Sequence, residues 1–244
     1  MTSLAAQSKL PPMAKPTMLC VDIMIVVAVS GLTFFLEGIA FAQGWIPLET
    51  EIKGAISVLT GACAAIAVVF FRGGSFADLG FKRPKRWAVV PLQVTAILVA
   101  FIVAQAALPQ IIALFLTVPE PDFSRYDSIT GNLAAAITMA LVLPLTASIP
   151  EEIIYRGFLM GRLSELFSED LRGASMTVLV QALIFGSVHF QWGIGGMIMT
   201  FCMGAVWGTA YLLCGRNLWI VILAHSAGHI LFVTQLYLGE SIIV

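Results

Sequence analysis

Between Met18 and Leu238 the sequence is a succession of apolar runs, about Met18 to Ala42, Gly54 to Phe71, Trp87 to Thr117, Leu133 to Phe167, Ala174 to Phe190, Met197 to Leu213 and Leu218 to Leu238, each of 17 residues or more. Runs of this length are about what it takes to cross the hydrocarbon core of a bilayer as a helix. In lipid the backbone must satisfy its own N–H and C=O groups, so each run is expected to be helical. The expected fold class is therefore all-α, a polytopic transmembrane helix bundle of seven or eight spans. Residues 18–244 form one such domain, and residues 1–17, with Lys9, Lys15 and three prolines, read as a polar, disordered cytoplasmic tail. With 59% hydrophobic and 11% charged residues and a mean hydropathy of +0.95, the chain lies far from soluble domains. Its surroundings are membrane lipids. A net charge of −1 gives no basic footprint for a nucleic-acid partner.

Orientation follows from the basic residues. Lys9, Lys15, Arg72, Lys82, Arg83, Lys85, Arg86, Arg162, Arg172 and Arg216 fall on one side of a seven-span arrangement, and only Lys53 and Arg125 on the other. The excess predicts a multi-pass integral membrane protein with a cytoplasmic N-terminus, in the plasma (inner) membrane if the source is bacterial. The first span ends in Ala40-Phe41-Ala42 but is too long for a signal peptide. Glu37 is expected near an interface. Pro91 and Pro109 predict a kinked or tilted third span, and Pro144 and Pro150 a long kinked fourth helix. The spacings Gly157-x-x-x-Gly161 and Gly204-x-x-x-Gly208 suit close helix packing. Cys20, Cys63, Cys202 and Cys214 have no paired spacing and read as buried packing residues.

One stretch breaks the apolar pattern. Pro150-Glu151-Glu152-Ile153-Ile154-Tyr155-Arg156 sets two carboxylates and a guanidinium near the middle of the fourth span. A charge at that depth costs about 2.5 kcal/mol or more, so it must be paired, face a cavity or be used. Glu152 and Arg156 are four apart and can pair on one helix face. Glu151 lies about 100° round the axis and needs a partner from another helix. The three histidines, His189, His225 and His229, all lie in later apolar runs. Glu151 precedes the turn at Ser168 by 17 residues and His189 follows Gly173 by 16, which puts them at similar depth on antiparallel helices. Phe185 and His189 are four apart, so the phenyl ring could wall the site, with Tyr155 as a second pocket residue. A carboxylate with imidazoles in an apolar cavity suits water activation and oxyanion stabilisation, hence peptide-bond hydrolysis. The same cluster would also serve a non-catalytic membrane scaffold, or a partner-binding or immunity protein, that keeps it for structure.

Glu151-Glu152-x-x-x-Arg156, Phe185-x-x-x-His189 and His225-x-x-x-His229 resemble, in order and spacing, the three motifs of the CAAX protease and bacteriocin-processing (CPBP, Abi) family of intramembrane endopeptidases. The resemblance covers about Ile149 to Ile230 and makes about 133–238 the catalytic core. It implies an endopeptidase that cuts a membrane-associated or lipidated (CAAX-type, prenylated) protein or peptide near the cytoplasmic side. It also implies that Glu151 and His189 activate water, that Arg156 acts through Glu152, and that His225 stabilises the oxyanion. The family usually has Asn where this chain has His229. That change creates a three-histidine set which, with Glu151, makes zinc a conceivable cofactor through Glu151, His189, His225 and His229.

Overall fold

The computed structural model describes residues 16–45, 54–115 and 117–240, and contains no strand among them. Nearly all of the expected tail, and Glu49, Glu51 and Lys53, lie outside the described residues. Among the described residues seven long helices make up the bundle: α1 Pro16–Ala42, α2 Ala55–Phe71, α3 Val90–Ala113, α4 Leu133–Leu166, α5 Leu171–Ser187, α6 Gly193–Leu213 and α7 Leu218–Leu238. Five are long and apolar enough to cross a membrane, and α2 and α5 are shorter apolar helices of 17 residues each. The protein is a polytopic helical membrane protein.

Helix starts are set by local chemistry. Asn132, Asp170 and Asn217 cap α4, α5 and α7, their side chains accepting from the N–H groups of Ala135, Gly173 and Trp219. Each satisfies a donor that the first helical turn cannot. Pro91 sits in the first turn of α3, where a missing N–H breaks nothing, so it does not produce the expected kink there. In α4 the prolines have a different effect. The helix loosens into π turns at Pro144–Ser148 and Ile153–Leu159, with an α-helical segment, Ile149–Glu152, between them. Pro144 brings no N–H to the ladder, which favours such a shift.

Small residues let the helices approach. A Cβ on Gly204 would lie 2.9 Å from Cα of Ala182, and one on Gly157 2.8 Å from the carbonyl oxygen of Leu79. Gly161 faces open space, so the expected packing role fails at that end of its pair. The cysteine expectation also needs correction: Cys202 is buried, Cys214 half-buried, and Cys20 and Cys63 face outward, all four as free thiols. An apolar environment outside the bundle makes outward-facing cysteine no exception.

An ion cluster at one end and a carboxylate-to-backbone hydrogen bond at the other tie the first helices to their neighbours. Asp22, buried in α1, accepts from Nη2 of Arg72 at 2.7 Å and meets Nε of Arg162 at 3.2 Å. At the other end Glu37, near the finish of α1, is buried, and its carboxylate accepts from the N–H of Gly54 at 2.8 Å, ahead of α2. An anion there faces the positive end of that helix.

Candidate active site

The two π turns of α4 bracket Glu151 and Glu152 and turn the carboxylates toward α7. Nη1 of Arg156 donates to Oε1 of Glu152 at 2.8 Å, with both side chains fully buried. The same oxygen lies 2.8 Å from Nδ1 of His225. This pairing makes Nδ1 the donor, since a carboxylate only accepts, and in a neutral ring it leaves a lone pair on Nε2. Nε2 of His225 has no hydrogen-bond partner and lies 3.8 Å from Oε2 of Glu151. That separation is too long for a direct bond and suits a shared water. Glu151 thus faces an imidazole of another helix across a gap the size of a water.

His189 lies just beyond α5, in the turn that opens the short 3₁₀ segment Phe190–Trp192, and not on the helix itself. Its Nδ1 is 2.7 Å from the carbonyl oxygen of Phe185. A carbonyl can only accept, so Nδ1 carries the proton and Nε2 of the neutral ring is free to accept. Nδ1 of His229 is 2.8 Å from Oγ of Ser148, a fully buried side chain at the end of the first π turn. The rings of His225 and His229 are 4.6 Å apart between centroids.

Glu151, Tyr155, His189, His225 and His229 line one cavity of about 500 Å³. Glu152 and Arg156 stand behind it. So does Phe185, which is fully buried and outside the cavity lining, in place of the wall expected from its spacing. It lies edge-on to Tyr155 at 4.9 Å, under the guanidinium of Arg156 at 4.7 Å and against His189 at 4.8 Å. Ser148 carries no motif mark; its only trace in the sequence is a hydroxyl in an apolar run three residues before Glu151. Asp22, an acid in the first apolar run, is the matching trace of the Arg72 and Arg162 cluster.

The set conceivable for zinc does not form. Among the described residues no three His, Cys, Asp or Glu side chains are grouped as metal ligands.

Comparison with known families bears on this part of the chain. Residues 133–231 match the family described as Rce1-like: Type II CAAX prenyl endopeptidase Rce1-like. The Rce1-like stretch runs from the start of α4 into α7 and holds both glutamates, Arg156 and all three histidines. It supports a CAAX-type intramembrane protease, a hydrolase, at the level of the family. No curated protein and no solved structure matches the chain.

Proposed function

We propose that this protein is an intramembrane endopeptidase in which water held by Glu151 attacks a peptide bond of a membrane-associated protein or peptide. One observation carries the reading: Arg156 and Glu152 fix His225 so that its unpartnered Nε2 faces Oε2 of Glu151 at 3.8 Å on the cavity wall. A water between these two acceptors gives its proton to one of them as its oxygen attacks the carbonyl carbon. The imidazole of His189, with its free Nε2 on the same cavity, can pass that proton to the leaving amine.

The resemblance assigns the oxyanion to His225. In the neutral ring its one N–H is given to Glu152, so His229 is the better donor. If the Ser148 hydroxyl donates to Nδ1 of His229, Nε2–H is left to face the developing oxyanion. His229 can in this way do what the amide of the family's usual Asn would do. Substrates of the family's type include prenylated CAAX tails, and the apolar cavity is compatible with a lipid-tethered chain.

The test is cleavage of prenylated and unmodified peptides by purified protein in detergent, with Glu151→Gln alongside wild type. Glu151→Gln is expected to fold and to lose turnover, and a zinc chelator to leave wild-type turnover unchanged. Undiminished cleavage by Glu151→Gln would remove the glutamate from the mechanism.

A further inference from the structure

The two ends of the bundle differ in charge and in their relation to the cavity. One end gathers the finish of α2, the segment 72–86, the finish of α4 and the α6–α7 turn. These parts are joined to one another: Arg216 donates to Oγ of Ser164, Asn217 to the carbonyl of Lys82, and the N–H of Leu218 to the carbonyl of Gly80. Arg72, Lys82, Arg83, Lys85, Arg86, Arg162, Arg172 and Arg216 all lie here. The opposite end joins Gly131 to Tyr237 and Asp122 to Trp192 through backbone hydrogen bonds. Among the described residues its basic side chain is Arg125. An eight-to-one excess of this kind marks the first end as cytoplasmic.

The cytoplasmic end is closed. Leu79, fully buried, presses its carbonyl against Gly157, and below the cavity the Asp22, Arg72 and Arg162 cluster draws α1 onto α2 and α4. No residue of 72–86, 167–172 or 214–217 lines the cavity, whereas Gly54, Arg125 and Gln191, from the other end, do. Among the described residues its side is open there too. Val27, Gly31 and Phe34 on α1, Ser187 at the end of α5, and Phe190 and Gln191 beyond it line the cavity and are exposed. Phe34 and Phe190 face each other across this slot, their ring centroids 6.3 Å apart.

We propose that the site is entered from the extracytoplasmic half of the membrane, through the slot between α1 and residues 187–191, and acts on polypeptide segments presented on that side. This narrows the endopeptidase reading, on which it rests for the nature of the substrate, to exported or outward-facing membrane-tethered chains. It also reverses the expectation of cleavage near the cytoplasmic side: a CAAX tail confined to the cytosol meets the closed end.

The experiment is labelling with a membrane-impermeant maleimide, in full-length protein whose four cysteines are replaced by serine. Gln191→Cys reports the slot and Lys82→Cys the basic end. In intact cells Gln191→Cys is expected to react and Lys82→Cys to react only after the membrane is opened. The opposite pattern, or Gln191→Cys reacting only after opening, overturns the proposal. Wild-type protein gives a second reading if the cysteine-free chain misfolds. Trypsin should cut within residues 82–86 in inverted vesicles and leave them intact in right-side-out membranes, and cutting in the right-side-out membranes overturns the proposal. Neither readout requires hydrolysis, so a failure of the peptidase reading and a failure of the access route are separately visible.

Discussion

Replacing Arg156 by Met removes the cation of a pair in which both side chains are fully buried and only 2.8 Å apart. Glu152 then keeps the imidazole of His225 as its hydrogen-bond partner, and its charge has no compensation. The guanidinium's contact with the ring of Phe185 goes as well. Breaking a buried pair from one side costs about 3–5 kcal/mol. For a chain of this size that corresponds to a melting temperature lower by roughly 6–20 °C. The companion is Glu152→Gln with Arg156→Met, which removes both charges and keeps an acceptor for Nδ1 of His225. It should recover more than half of the lost stability. Thermal unfolding of the purified variants in one detergent measures both. A single variant that melts within about 2 °C of wild type, or a double variant no more stable than the single, would refute the view that Arg156 is held in place by charge compensation.

Ser148→Ala should lower kcat by roughly tenfold, the loss of about one neutral hydrogen bond in the transition state, with little change in KM. In a His229→Asn background the same change should have no effect, since the amide needs no tautomer set for it; peptide cleavage by the four proteins checks this. Gly157→Ala places a Cβ 2.8 Å from the carbonyl of Leu79 and should cost about 1–3 kcal/mol. Gly161→Ala, which meets nothing, should be neutral or stabilising by up to about 1 kcal/mol, and the two melting temperatures decide it. In the α4–α5 turn, hydrogen bonds from Ser168 and then from the Gly173 N–H hold the Asp170 carboxyl below the usual carboxylate range. Its contribution is therefore full above the ordinary carboxylate pKa and is lost as pH falls through the lowered one. Asp170→Asn should flatten that acid limb of the stability profile, and an unchanged limb in melting curves would count against the cap.

Much of this architecture is legible one run at a time. Apolar runs of 17 residues or more mark the spans because a bilayer leaves the backbone no other partner than itself. The i, i+4 spacing of Glu152 and Arg156 announces their pair because helical geometry places them together without help from the rest of the chain. Gly204 and Gly208 could be read as contacts, but nothing in the spacing separates them from Gly161, whose neighbourhood is empty. Which glycine touches a neighbour depends on how the helices are turned about their axes.

The sequence by itself determined the membrane environment, the helical class, the ion pair in α4 and the need of Glu151 for a partner elsewhere. Each of these follows from local periodicity or from the cost of an unpaired group in an apolar surrounding. Only the tertiary structure decided that His225 is that partner, that Ser148 holds His229, that Phe185 backs the site rather than lining it, and that Asp22 gathers Arg72 and Arg162. These contacts join residues far apart in the chain, Ser148 and His229 by 81 positions and Asp22 and Arg162 by still more. They depend on the π turns that re-aim α4, on helix rotation and on depth, which a count of residues along one helix leaves undetermined by several ångström. The direction in which the cavity opens is of the same kind, since it is a property of seven helices packed together and of no one of them.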